Sequence, residues 1–259
     1  MPDHQSASMT SDSAGWARLS HPAIAAWAAA AQEPATVGIA GQDWRCGGTW
    51  CVGLDALPNA DYGSVAGVPL PWDVLGAHLG IAPMSLHRAQ VSVVRPGYPQ
   101  PSADETSAAF GYRLNRDAAH LDGLLPVGPD RRRMVKEPHA WILGLPLNVC
   151  TADAAPLVVW EGSHAVMRAA LLSVLSQHAP GDWGNVDITD AYIAARRSVF
   201  DTCRRVELPA TPGEAVLLHR LTLHGVAPWA SRAHAPAPGR MIAYFRPVMA
   251  SVADWLLAP

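Results

Sequence analysis

The placement of the apolar, β-branched runs constrains this fold most. From Arg88 onward the chain reads AQVSVVRPG, HAWILGLPLNV and APLVVWEG, each rich in Val, Ile or Trp and bounded by turn residues, as strands are. HAVMRAALLSVLSQH then switches to helical spacing (Val166, Ala170, Leu171, Val174, Leu175). DITDAYIAARRSVF reads as a second helix, with Asp187 or Thr189 as its candidate cap. Strand-like runs return in RVELPA, in AVLLHRLTLHG after the turn at Pro212-Gly213, and in RMIAYFRP. Strands, a helical insertion and strands again lack the strand–helix alternation that a parallel sheet needs. The pattern predicts a mainly β fold with flanking helices, a double-stranded β-helix (jelly roll, cupin-like), over residues 88–250.

The rest of the chain adds to one domain spanning residues 1–259. Residues 1–15 are polar and lack the basic-then-apolar order of a secretory signal, and a disordered arm is expected there. Residues 16–87 are expected to supply N-terminal helices and a lid. His21-Pro22 followed by AIAAWAAAAQE reads as a helix with Pro in its first turn, and Pro34 to Pro71 as loops with short strands. Trp44, Trp50 and Trp72, in or beside that segment, are either packing residues or a wall of a substrate pocket. The Ala-rich stretch from Ala23 to Ala31 falls short of the ~20 residues that span a bilayer. With 19 Lys and Arg against 22 Asp and Glu, the net charge of −3 gives no general attraction for nucleic acid or anionic membranes. The four cysteines (Cys46, Cys51, Cys150, Cys203) form no Cys-x-x-Cys pair. A cytoplasmic protein acting on a small molecule, with neither nucleic-acid nor membrane partners, is expected.

The chemistry concentrates in His120-Leu121-Asp122, then His224, then Arg240. On a strand, residues i and i+2 share a face, so His120 and Asp122 can reach one metal ion together. His224, from a later strand, completes two imidazoles and one carboxylate. Such a set leaves coordination positions open, as Fe(II) needs when it binds a bidentate co-substrate and O2. Gly225 lets the backbone turn just after His224. Arg240 opens the strand RMIAYFRP, where its planar fork can grip a carboxylate with two parallel hydrogen bonds.

HLDG, PLVVWEGSH, PGEAVLLHRLTLHGVAPW and GRMIAYFRP together resemble the phytanoyl-CoA dioxygenase family of 2-oxoglutarate-dependent oxygenases, in the same order from Ala89 to Pro247. The resemblance implies Fe(II) on His120, Asp122 and His224, with 2-oxoglutarate held by Arg240 and contacted from Gln90 and Trp141. The family's Gly-Ser-His turn stands here as Gly162, Ser163 and His164. The separation of His224 from Arg240 exceeds the family's, with RAHAPAPG as the extra segment, so Arg232 is a rival for the carboxylate grip. Halogenating relatives carry a small residue where Asp122 stands, so the resemblance implies hydroxylation or a related oxidation.

His219, five residues before His224 in the same apolar run, is the rival metal ligand; His139, His164 and His178 read as structural. The basic run from Asp130 to Lys136 is either a solvated loop or, through Arg131, Arg132 or Arg133, a contact for an anionic substrate group. Arg95 and Arg113 carry the same ambiguity. Two other classes share this pattern: a cupin-like metalloenzyme that does not use 2-oxoglutarate, and a non-catalytic jelly-roll binding protein.

Overall fold

A computed structural model describes residues 13–103 and 105–258. Residues 1–12 of the expected disordered arm lie outside the described residues. Residues 13–15 are packed: Gly162 N donates to the Ala14 carbonyl at 3.0 Å and His219 N to that of Gly15 at 2.9 Å.

Among the described residues, twelve strands and six α-helices follow one another along the chain. The strands are β1 (Trp16–Ser20), β2 (Trp44–Arg45), β3 (Trp50–Cys51), β4 (Gln90–Val94), β5 (Leu124–Val127) and β6 (Arg132–Val135). They continue as β7 (Trp141–Pro146), β8 (Leu157–Trp160), β9 (Arg205–Leu208), β10 (Glu214–His219), β11 (His224–Val226) and β12 (Arg240–Phe245). The helices are α1 (Pro22–Gly38), α2 (Trp72–Leu79), α3 (Ser107–Asn115), α4 (Ser163–Leu175), α5 (Thr189–Thr202) and α6 (Val252–Leu257). A large sheet in the order β1-β10-β7-β12-β4-β3-β2 faces a small one in the order β11-β8-β9. All pairings are antiparallel. This is the expected jelly roll. The segment 16–87 supplies edge strands to the large sheet as well as helices, and α1 runs through Pro34 to Gly38, past the expected loop start.

Each sheet has an outer face covered by helices. On the large sheet, Leu143, Leu145, Met241, Ala243 and Phe245 pack on Ile24, Trp27, Ala28 and Ala31 of α1. On the small sheet, Val158 and Trp160 pack on α4, α5 and α6. The sheets meet through Ile142, Val216 and Leu218 on one side and Leu157, Val159 and Leu208 on the other. Trp27 anchors the first of these layers. It is fully buried, its indole N–H donates to the Gly63 carbonyl at 2.7 Å, and its ring lies 5.9 Å from that of Phe245. Trp27→Ala removes a large buried ring from a close-packed layer and is expected to destabilise the fold by about 3–5 kcal/mol, read from denaturant midpoints.

Two local readings change. The run AVLLHRLTLHG is two strands: β10 ends at His219, the chain turns (Thr222 N to His219 O, 2.8 Å), and β11 begins at His224 in the other sheet. The N-cap of α5 is Ile188 rather than Asp187 or Thr189, and Asp187 supports the helix start from one residue earlier, its Oδ1 accepting from Thr189 N at 2.9 Å. Trp44 and Trp72 pack against the core of the large sheet, and the Trp50 indole donates to Ser92 at 3.1 Å. Among the described residues no helix is long and apolar enough to cross a membrane.

Candidate metal centre

His120 and His224 are brought together by an isolated antiparallel bridge rather than a full strand pair. His120 N donates to His224 O at 2.8 Å, and His224 N to His120 O at 3.2 Å. Directly opposed residues of an antiparallel pair project to the same face. For His224 that face is fixed by its pairing with Val159, which points between the sheets. The two imidazole centroids are 4.7 Å apart. Asp122 follows in a turn that leads into β5.

Hydrogen bonds dictate which ring nitrogens face inward. Nδ1 of His120 lies 3.0 Å from the Ala118 carbonyl, and Nδ1 of His224 lies 2.9 Å from that of Thr222. A carbonyl only accepts, so each Nδ1 carries the proton and each Nε2 presents a lone pair. Those lone pairs converge on Asp122, with Nε2 of His120 at 3.2 Å and Nε2 of His224 at 3.8 Å from its Oδ1. The three donor atoms lie within 4.8 Å of one another. Two imidazoles and a carboxylate converging on a common point suit a first-row divalent ion such as Fe(II).

The other oxygen of Asp122 is held from behind. Arg246 Nη1 donates to Oδ2 at 3.0 Å, and its Nη2 donates to Gln90 Oε1. Neither contact was foreseen, although the alternation in RMIAYFRP puts residue 246 on the same face as Arg240. Burial pushes the Asp122 carboxyl up, but the hydrogen bond that His120 donates from Nε2 when protonated, together with the charges of both histidines and Arg246, outweighs it and leaves it well below the ordinary range. Burial and the neighbouring His120 push His224 down to about 4. Partial desolvation opposes the charged form of the half-exposed His120, and the Asp122 hydrogen bond and charge overcome it, so its value is raised. At neutral pH the carboxylate is ionised and His224 neutral, the forms that bind a metal.

Gly225 serves a different purpose from the turn expected of it. It lies within β11, where a Cβ would fall 2.1 Å from the Asp117 carbonyl oxygen. That carbonyl accepts from Val226 N at 2.9 Å, so the missing side chain lets the segment bearing His120 lie against β11.

The remaining expected residues divide. Arg240 and Tyr244 of β12 share the inward face with Gln90, paired across from Tyr244, and Ser92. A cavity of about 250 Å3 between the sheets is lined by Gly144, Leu157, Val216, Arg240, Ile242 and Tyr244. Arg240 is 5% exposed, meets no carboxylate among the described residues, and has a buried Nε without a hydrogen-bond partner. Arg232 is exposed in the loop before β12. Trp141 is a correction: it pairs with His219 and stands with Leu143 and Leu217 on the helix-covered face, away from the metal centre. One residue of register separates it from the inward-facing Ile142.

His219 is likewise remote from the metal donors. It stacks on His164 at 4.9 Å, its Nε2 lies 3.1 Å from Arg168 Nη2, and burial pushes its pKa down to about 3. His139 braces the strand end through the Arg246 carbonyl at 3.1 Å, and the His178 carbonyl accepts from the Trp183 indole at 3.0 Å. Arg131 is exposed, Arg132 is bound by Asp187 and Asp190, Arg95 stacks on Trp44, and Arg113 pairs with Glu105 at 2.5 Å. Arg133 lines a second cavity beside His120.

No family model matches the chain. No curated protein matches it either. Among solved structures, the non-haem α-ketoglutarate-dependent carbocyclase SnoK from nogalamycin biosynthesis is 15% identical, with a TM-score of 0.48 over 93% of this chain and 85% of that one. EctD from S. alaskensis, in a structure with 2-oxoglutarate and 5-hydroxyectoine, is 17% identical, with a TM-score of 0.42 over 91% and 72%. AviO1 from Streptomyces viridochromogenes Tue57 is 15% identical, with a TM-score of 0.42 over 92% and 91%. At such values the likeness is one of general shape, and the chemistry of the site follows from its own geometry.

Proposed function

We propose that the protein is an Fe(II)- and 2-oxoglutarate-dependent oxygenase that hydroxylates a small molecule. The observation that carries this reading is the convergence of His120 Nε2, His224 Nε2 and Asp122 Oδ1, each fixed by a second hydrogen bond behind it. The cavity that Arg240 lines supports the co-substrate: this buried guanidinium meets no carboxylate among the described residues, and a dicarboxylate would supply one. The resemblance to the phytanoyl-CoA dioxygenase family points the same way, now without a part for Trp141.

The chain's own contribution is positional. His120 and His224 would hold the ion through neutral imidazoles, and Asp122 would offset one of its charges. Arg246, itself held by Gln90, fixes the carboxylate's rotation through Oδ2 and leaves Oδ1 toward the two Nε2 atoms, where it would serve as the ligand. Arg240 would take the far carboxylate of 2-oxoglutarate. Its apolar neighbours Ile242, Leu157 and Val216 keep water from that contact, which strengthens it. Bound there, iron and 2-oxoglutarate supply O2 activation, with substrate R–H, 2-oxoglutarate and O2 giving R–OH, succinate and CO2.

Adding Fe(II) and 2-oxoglutarate anaerobically should produce a weak visible charge-transfer band that is absent without either component and absent in His120→Ala. A wild-type protein that binds Fe(II) yet shows no band would remove 2-oxoglutarate from the reading and leave a metalloprotein of another kind.

A further inference from the structure

We propose that the second cavity is an oxyanion-binding cleft that holds the acidic group of the substrate, with Arg133 and Arg196 as its anchors. The cavity measures about 380 Å3, and its lining includes His120, Tyr112, Arg113, Arg133, Tyr192 and Arg196. His120, a metal-ligand candidate, is half-exposed.

Three guanidinium groups line the cleft, and among its described lining residues Glu105 is the one carboxylate. Arg113 takes it, at 2.5 Å. Arg133 and Arg196 are held instead by neutral groups. Arg133 Nη1 donates to the Leu124 carbonyl at 3.1 Å. Arg196 Nη1 donates to the Tyr112 hydroxyl at 3.0 Å, and its guanidinium carbon lies 4.9 and 4.7 Å from the Tyr112 and Tyr192 ring centroids. Its buried Nε has no hydrogen-bond partner.

Several guanidinium groups elsewhere are matched with carboxylates, although Arg95 and Arg240 are not among them. Arg132, adjacent in sequence to Arg133, is bound by Asp187 and Asp190; Arg204 is bound by Glu161, and Arg205 by Asp117 and Glu207. Two guanidinium groups fixed in a shared cleft, with N–H groups to spare and no protein anion between them, are an arrangement that a bound carboxylate, sulfate or phosphate completes. Leu121, Leu124 and the two tyrosine rings give the same cleft apolar walls. The ligand class is therefore an oxyanion carried on an aromatic or aliphatic body, short enough for that body to reach the iron side of His120. That the anion belongs to the oxidised substrate rests on the oxygenase reading; the charge imbalance of the cleft does not.

Calorimetric titration of the metal-free full-length chain with phenyl phosphate, in chloride buffer at fixed ionic strength, tests the cleft by itself. Saturable binding is expected, weakened about tenfold in Arg133→Ala, the loss of one charge-assisted contact. Arg133→Ala is preferred to Arg196→Ala because Arg196 also packs between two tyrosines. No saturable binding, or equal affinity in wild type and Arg133→Ala, overturns the proposal. A second measurement tests the substrate role: Mn(II) at the histidine site should broaden the 31P resonance of phenyl phosphate, and Arg133→Ala should abolish the broadening. Binding through Arg133 without broadening overturns that role. If Mn(II) itself does not bind, the oxygenase reading fails, and the metal-free titration still decides the cleft.

Discussion

Asp122→Ala should lower Fe(II) affinity by more than about 100-fold, because even changes behind a ligand cost about 10–100-fold and this one removes the ligand itself. Co(II) titration followed by its visible bands gives the measurement. The effect extends beyond the metal. Arg246 loses the carboxylate 3.0 Å from its Nη1 and keeps Gln90 alone, so a largely buried cation is left poorly matched. The metal-free variant is therefore expected to be about 1–3 kcal/mol less stable than the wild type at pH 7. The sign of its pH dependence follows from the depressed Asp122 value: the carboxylate's contribution is complete above the ordinary carboxylate range and is lost as pH falls through the lower folded-state value. The two proteins should then converge in acid. A variant that binds Co(II) with wild-type affinity would show that the three donors do not share an ion.

The strands and the His-x-Asp constellation were legible because each is a local signal. AQVSVV and RMIAYF are β-branched or apolar runs bounded by Gly and Pro, and they become β4 and β12. What depended on a neighbour was less legible. WILGLP is buried along nearly its whole length, with side chains packed on both faces of β7, so no polar alternation reveals which face is which. The face that Trp141 takes cannot be read from the run for that reason. AVLLHRLTLHG carries His219, Arg220 and Thr222 where the chain turns, but no Gly or Pro marks the point where it leaves one sheet for the other. The fact that a single bridge pair, rather than a strand, aligns His120 with His224 depends on Gly225 meeting the Asp117 carbonyl, a contact between segments 108 residues apart by their numbering. Arg246 was within reach of simple alternation from Arg240. Its partner Asp122 lies 124 positions away, and only the fold joins them.

Arg240→Ala should weaken 2-oxoglutarate binding by about 100-fold or more, the loss of two charge-assisted hydrogen bonds in a water-poor cavity, while Co(II) affinity stays at the wild-type value. Arg232→Ala, at the exposed rival position, should change neither. Arg240→Lys keeps the charge and loses the fork, so it should fall between the wild type and alanine. Stability separates this explanation from a structural one. A buried arginine that braced the fold would destabilise the protein on removal. Among the described residues Arg240 meets no carboxylate and its buried Nε has no hydrogen bond, so without ligand the Tyr244 hydroxyl compensates its desolvation only in part. Arg240→Met, which fills similar space without a charge, should therefore leave the ligand-free protein as stable as the wild type or more so, while abolishing the rise in Tm that 2-oxoglutarate gives the metal-loaded wild type. Lower stability in Arg240→Met, with its 2-oxoglutarate-dependent rise in Tm intact, would place the residue among the supports of the sheet and leave the co-substrate to another cation.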